Sequence, residues 1–149
     1  MGLFDLFKKK KQNDGDENAQ VAAYAQKMCC GAVEYAKSFG KNFDFSENSI
    51  TDLEEILDFY SNDISVSKPT ENQIWSMAVI FGSYLGQTIL KNGLSKKGYY
   101  WAKEGYSNIP LLICKDGGRL TPIDKVYKRL VNGCEDNVVS FYRFAISEL

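Results

Sequence analysis

The sequence contains no histidine, and this absence excludes several kinds of chemistry. Histidine is the usual general base, the usual activator of a serine or cysteine nucleophile and the commonest zinc ligand. None occurs among the 149 residues of the chain. Ser-His-Asp and Cys-His catalysis are therefore excluded, and a hydrolase or transferase would depend on carboxylates, lysine, tyrosine or a bound metal.

The sequence also has little net charge. Its 18 basic and 19 acidic residues leave −1 at pH 7, so no overall field attracts a polyanion. We therefore expect no nucleic-acid partner. The hydrophobic content of 44% is ordinary for a globular protein, and the length suits one domain with a sizeable core.

The chain has four cysteines, Cys29, Cys30, Cys114 and Cys134. Cys29 and Cys30 are neighbours in a helical stretch and point about 100° apart, so both can hardly ligate one metal with the other two. We predict reduced, partly buried thiols, no bound metal and no cofactor. An all-cysteine zinc site and redox chemistry are the alternatives. No secretion signal precedes the cysteines, so the predicted location is cytoplasmic.

The first eleven residues combine apolar side chains with a cluster of lysines. This order is the reverse of a secretory signal, where the positive charge comes first. Such a segment can dock into the groove of a protein partner, or make weak contact with the inner face of an anionic membrane. The third interpretation is a frayed, solvated terminus. The docking candidates are Leu3, Phe4, Leu6, Phe7, Lys8, Lys9, Lys10 and Lys11. We predict that residues 1–18 form this tail and an acidic linker, and that residues 19–149 form one domain.

The longest helical pattern covers residues 71–92, and its boundary signals are clear. Pro69 disfavours helix just upstream, Thr70 and Gln73 are spaced as a capping box, and Gly93 is predicted to supply a left-handed stop. We predict one long central helix.

Small residues follow one face of this helix. Ala78, Gly82 and Gly86 recur at intervals of four, which places them in one ridge. Each interior glycine costs about 0.8–1 kcal/mol relative to alanine, so the ridge indicates unusually close packing against protein or a ligand. No charged residue occurs between Glu71 and Lys91, yet the polar residues and glycines there favour a buried helix over a membrane span.

The remaining patterns complete an α+β fold. Helical periodicity predicts further helices at 19–39, from Ser49 onward, after Thr121 and from about residue 136 to the C-terminus. Short strands are predicted at 98–102, at 110–115 and near residue 120, with a tight turn at 116–118. We expect about five helices around a long buried central helix, with a small three-stranded antiparallel sheet.

Two charged helix faces invite a functional interpretation. One face carries Glu54, Glu55 and Asp58, which could act as general acids or bases or bind a hard cation. The solvated side of any amphipathic helix has the same pattern of charges, however. Lys125, Lys128 and Arg129, with Lys96 and Lys97 upstream, could meet a phosphate or an acidic partner; cations that offset a helix dipole are the simpler interpretation. We predict solvated surface in both places.

Aromatic residues are concentrated at the first predicted strand. Alternate residues of a strand face opposite ways, so Tyr99 and Trp101 share one face and Tyr100 occupies the other. One face must bury against helices, and the other can then present exposed rings of the kind that interfaces favour. Core packing of all these rings is the alternative.

Several short segments resemble a known group of proteins. They are FDFSENS, FGSYLGQTI on the central helix, Trp101, a proline-led strand and TPIDKVYKRLVNG before a final aromatic helix. Together they resemble a family of small bacterial α+β proteins called domain of unknown function 3806, over about residues 43–145. Members of that family often carry an acidic residue after YLG, where this chain has Gln87. The resemblance implies a fold and a bacterial source, and no activity.

The absence of familiar catalytic machinery favours a non-enzymatic binding or adaptor protein, or an immunity-type interaction module, with an unidentified protein partner. No catalytic residue is assigned. The predicted binding residues are Tyr84, Gln87, Tyr100, Trp101 and Tyr106. One alternative is an enzyme with a pocket beside the glycine ridge, using Tyr84, Gln87 and a carboxylate such as Asp44 or Glu47. The other is a peripheral protein tethered to a membrane by its tail.

Overall fold

The structure is a computed structural model that describes the backbone of residues 3–149 and the side chains of residues 15–149. Over these residues it confirms the α+β fold, with five α-helices and one sheet. The helices are α1 (Leu3–Ser38), α2 (Glu47–Ser67), α3 (Glu71–Lys91), α4 (Pro122–Asn132) and α5 (Val138–Glu148). The strands are β1 (Tyr100–Ala102), β2 (Leu111–Ile113) and β3 (Arg119–Leu120), and 3₁₀ turns occupy Leu94–Lys97 and Cys134–Asp136.

The sheet is the antiparallel meander that the sequence predicts. Its order is β1-β2-β3, and Leu112 lies opposite Trp101 on one side and Leu120 on the other. The turn before β3 is closed by Asp116, whose carboxylate accepts from the amide of Gly118 at 3.2 Å. Trp101 is buried beneath the helices.

Several predicted helix boundaries are wrong, whereas the capping box of Thr70 and Gln73 is confirmed. Gly93 has φ 168°, which is extended backbone and not a left-handed stop. The N-cap of α2 is Ser46, three residues before the predicted start, and its hydroxyl accepts from the Ser49 amide. Thr121 occupies the N-cap of α4, but its side chain makes no capping bond there. The first helix, predicted from residue 19, begins at Leu3, so α1 includes the residues assigned to the tail and linker from the sequence.

The glycine ridge packs against protein. A Cβ atom on Gly82 would lie 2.5 Å from the Cα of Ile123 at the start of α4, and one on Gly86 would overlap the ring of Trp101. Real Cβ atoms do not approach backbone so closely. The ridge therefore lets α4 and β1 settle directly onto the backbone of α3, as the cost of two interior glycines suggests.

We predict that Gly82→Ala destabilises the fold, because the new methyl group meets backbone, which cannot move aside as a flexible side chain can. Overpacking of this kind costs about 1–3 kcal/mol, measurable by urea unfolding. Gly31→Ala is the matched control, because a Cβ on this α1 glycine would lie 3.7 Å from its nearest neighbour, Ile80. The control should be neutral or stabilising by up to about 1 kcal/mol. Equal midpoints for Gly82→Ala and the wild type would show that the ridge is not tightly packed.

Candidate protein-binding surface

Tyr84, predicted to bind a ligand or partner, lies wholly inside the fold with no exposed surface. Its ring is sandwiched between those of Phe43 and Phe45, with centroid distances of 4.3 and 5.1 Å. Its hydroxyl donates to Ser49 Oγ at 2.6 Å and accepts from the Phe45 amide at 2.9 Å. Burial raises the pKa of this hydroxyl. Tyr84 therefore holds the α1–α2 link against α3.

Phe45 is held in an unusual backbone conformation at this place. Its φ of 65° is in the left-handed region, which bulky residues rarely adopt. Two contacts stabilise this conformation. The Phe45 carbonyl accepts a hydrogen bond from Asn92 Nδ2 at 2.8 Å, and the Lys91 ammonium lies 4.0 Å from the centroid of the Phe45 ring. Asn92 also donates to the Tyr142 hydroxyl at 2.9 Å. One polar network thus joins the link, α3 and α5.

The other residues of the predicted enzyme site do not form a pocket beside the ridge. Trp101 fills the space against Gly86, and its Nε1 donates to Gln87 Oε1 at 3.1 Å. Hydrogen bonds from the Ser46 hydroxyl and amide lower the pKa of the Asp44 carboxyl, the opposite of what a general acid needs. The pocket predicted beside the ridge is filled by protein.

The predicted binding residues do not converge on one surface. Tyr84 and Trp101 are buried, Gln87 and Tyr100 are partly exposed, and Tyr106 is fully exposed on the β1–β2 loop. The side chains of Leu3 to Lys11 lie outside the described residues, so their docking stays a prediction.

Parts of the two charged faces predicted to be solvated instead meet in a partly buried ion-pair network, whereas Glu55 and Lys128 are exposed as predicted. Arg129 is 1% exposed; its Nε donates to Glu54 at 2.8 Å and its Nη2 donates to Asp58 at 2.7 Å. Burial opposes the charge on Arg129, but the bonds to Glu54 and Asp58 prevail and raise the pKa of the guanidinium. Glu54 also accepts from the Val138 amide at 3.0 Å. These bonds tie α2 to α4 and α5, while Arg129 Nη1 is buried without a hydrogen-bond partner among the described residues.

The cysteines differ in exposure. Cys29 is buried, Cys114 is partly exposed, and Cys30 and Cys134 are exposed. Burial, with a smaller contribution from Cys30, raises the pKa of Cys29 to about 12. All four are free thiols, and no group of three metal-ligating side chains occurs among the described residues.

The exposed surface that stands out is the N-terminal half of α3. Between residues 81 and 90 every side chain except Gln87 is buried, whereas between residues 71 and 80 only Ala78 is. Five apolar side chains of this half are only partly buried: Ile74, Trp75, Met77, Val79 and Ile80. The long central helix is therefore buried along half of its length, because no element among the described residues covers its first turns from outside.

Three adjoining grooves run along this half of α3. The one beside α1 measures about 430 Å³ and has an apolar lining of Tyr24, Met28, Trp75, Val79, Ile80 and Ile109. The one beside α2 measures about 440 Å³ and is lined by Tyr60, Ile64, Ile74, Met77, Leu130 and Asp63, among others. A smaller groove of about 150 Å³ shares Ser76 and Ile80 with the first and Gln73 and Met77 with the second. We call the three together the α3 furrow.

Aromatic side chains make the edges of the furrow rigid. The Trp75 ring stacks on Tyr127 of α4, with centroids 3.9 Å apart and planes within 9°. A hydrogen bond to the Glu71 carboxylate holds the Tyr127 hydroxyl and raises its pKa. Tyr35, at the α1 edge, is 46% exposed. Preordered rings of this kind lose little conformational entropy when they become interface anchors.

The furrow carries little charge. Asp63 is the one charged side chain among the described residues that line the three grooves. Sequence reasoning missed this surface, because the apolar spacing from Ile74 to Ile80 matches that of a fully buried helix. The missing charge between Glu71 and Lys91 was the available signal.

Comparisons with known protein families, with curated proteins and with solved structures found no match. Over the described residues, no helix combines the length and the hydropathy needed to cross a membrane.

We predict that Arg129→Met lowers stability by about 3 kcal/mol, because Glu54 loses its counter-ion while still largely buried. Lys128→Met is the matched control: Lys128 pairs with Asp124 at an exposed site on the same helix, where such pairs contribute less than about 1 kcal/mol. Thermal or urea unfolding at pH 7 measures both. Equal losses for the two variants would mean that Arg129 is solvated, as its sequence pattern predicts.

We predict that Cys29 resists alkylation in the folded protein at pH 8, because its pKa of about 12 leaves almost no thiolate and burial blocks access. Cys30, its exposed neighbour, is the internal control. Timed iodoacetamide labelling followed by peptide mapping should show Cys30 modified first, with Cys29 labelled at a comparable rate only after unfolding. Simultaneous labelling of the native protein would contradict this.

Proposed function

We propose that the protein is a non-enzymatic binding module, of the adaptor or immunity type, that engages a protein partner through the α3 furrow. The observation that carries the proposal is the continuous run of partly exposed apolar side chains on the first half of α3. Leaving a large apolar side chain in water forgoes about 1.5–3 kcal/mol, so the furrow has a strong tendency to be covered.

The furrow has the composition of an interface core. Charged residues are depleted at such cores and aromatic residues are enriched, and the groove between α1 and α3 is lined without any charged side chain among the described residues. Trp75 belongs to a residue type that is common at binding hot spots. The partner that fits presents an apolar ridge, such as one face of an amphipathic helix, with a cation opposite Asp63.

Other features agree with this role. Four free thiols suit a reducing compartment, so we propose a cytoplasmic location. We also propose kinship with the bacterial family called domain of unknown function 3806. Two of the segments that carry the resemblance, FDFSENS and FGSYLGQTI, meet in the Tyr84 network and are therefore structural.

Met77→Lys should abolish partner binding, because it places a charge in the apolar lining that the groove beside α2 shares with the smaller groove. The tagged full-length protein is expressed in its native host, and the retained proteins, untagged copies of the chain included, are identified and purified. Titration calorimetry with the purified partner should show a loss of at least about 30-fold in affinity, as expected for an interface anchor.

Phe144→Lys is the matched control, because Phe144 is 53% exposed on α5 and lines none of the three grooves. It should retain wild-type affinity. Binding that survives Met77→Lys and is lost with Phe144→Lys would move the interface to α5 and refute the proposal.

A further inference from the structure

We infer that the α3 furrow accepts the tail of a second copy of this chain, residues 3–11. The inference rests on the proposed function and deepens it, because it names the partner. Three features support it: the charge of α2, the composition of the tail and the length of α1.

α2, which borders the furrow, is an acidic helix, and its Asp63 lines the furrow. α2 contains six carboxylates and no lysine or arginine. Three cations from other elements pair with five of the carboxylates: Lys41 with Asp52 and Glu55, Arg129 with Glu54 and Asp58, and Arg143 with Glu47. Six carboxylates against three cations leave a net charge of −3 for α2 together with the cations paired to it. Asp63, which lines the furrow, has no ion-pair partner among the described residues.

The tail has the complementary chemistry. Leu3, Phe4, Leu6 and Phe7 supply apolar side chains for the grooves, and the four lysines that follow supply cations for the acidic edge. Complementary charge of this kind sets orientation and speeds association, while the apolar contacts provide most of the affinity. The furrow offers apolar surface on both sides of Met77 and a carboxylate, Asp63, on the α2 side only, which fixes the direction in which the tail lies.

The tail of the same chain cannot reach its own furrow. α1 runs as one helix from Leu3 to Ser38, and its residues Tyr24 and Tyr35 line the furrow. At 1.5 Å per residue, Lys11 lies about 20 Å from Tyr24 and about 36 Å from Tyr35 along the helix. The acidic end of the furrow adjoins the Tyr35 end, because the groove that contains Tyr35 shares Met77 with the groove that contains Asp63.

The tail of a second copy of the chain can reach the furrow. When two α1 helices lie antiparallel, the N-terminal turns of each copy lie beside the C-terminal turns of the other, where Tyr35 borders the furrow. Each tail then enters the partner copy's furrow, and the contact is reciprocal. Such a two-fold arrangement is closed, so it gives a dimer and not a fibre.

Sedimentation velocity of the full-length protein over a wide concentration range tests the inference. The wild type should form a dimer that weakens as salt is raised, because charge contributes to the contact. Phe4→Glu/Phe7→Glu in the tail and Met77→Lys in the furrow should each raise the dimer dissociation constant by at least about tenfold. Glu135→Lys is the control for added positive charge, because Glu135 is exposed and lines none of the grooves; it should leave the dimer unchanged.

A photo-crosslinking amino acid at Phe7 locates the tail directly. In a mixture of ¹⁴N- and ¹⁵N-labelled protein, crosslinks should join Phe7 of one copy to residues 60–80 of the other, and Met77→Lys should remove them. A monomeric wild type, a dimer that resists both the tail and furrow variants, or crosslinks elsewhere would overturn the inference. A monomer that sediments with phosphatidylglycerol vesicles would overturn it too, and would assign the tail to a membrane.

These outcomes are distinct from failure of the proposed function. If Met77→Lys abolishes binding of a different host protein and the wild type is monomeric, the furrow is a binding site and the tail is not its occupant. If Met77→Lys changes neither host-protein binding nor self-association, both proposals are wrong.

Discussion

The close approach of α4 and β1 to the backbone of α3 determines how the rest of the chain is arranged. Gly82 and Gly86 allow Ile123 and Trp101 into positions that a side chain would occupy. Because α4 is seated there, Arg129 reaches Glu54 and Asp58 on α2, and Glu54 in turn holds the first amide of α5. The C-terminal half of α3 is thereby buried except at Gln87, and the N-terminal half extends beyond this cover.

The result is a helix with two roles along its length. Its second half is core, with Tyr84 fixed between two phenylalanine rings and hydrogen-bonded to Ser49. Its first half also carries apolar side chains. There α1 and α2 lie on either side of the helix and do not cover these side chains. A rigid, well-packed base below an apolar furrow is the arrangement that binding surfaces need, because a preordered site loses less entropy on association.

Local signals predicted much of this fold, and long-range pairing accounts for what they missed. The capping box of α3, the glycine ridge and the three strands depend on residues within a few positions of one another. The pairing of Arg129 with Glu54 joins residues 75 positions apart, and each partner alone has the pattern of a solvated face. The furrow was missed for a similar reason: the spacing of apolar residues reveals which side of α3 avoids water, but what covers that side depends on the packing of α1 and α2.

Hydroxyl-radical footprinting of the unmodified protein, read by mass spectrometry, tests the two-role description of α3 most directly. The chain has two tryptophans: Trp75 in the furrow and Trp101, 3% exposed, against the ridge. Because the side chains are chemically the same, their oxidation rates compare exposure alone. At dilutions where the protein is monomeric, we predict oxidation of Trp75 several times faster than that of Trp101. Equal protection of both would contradict the account, since it would mean that α3 is covered along its whole length.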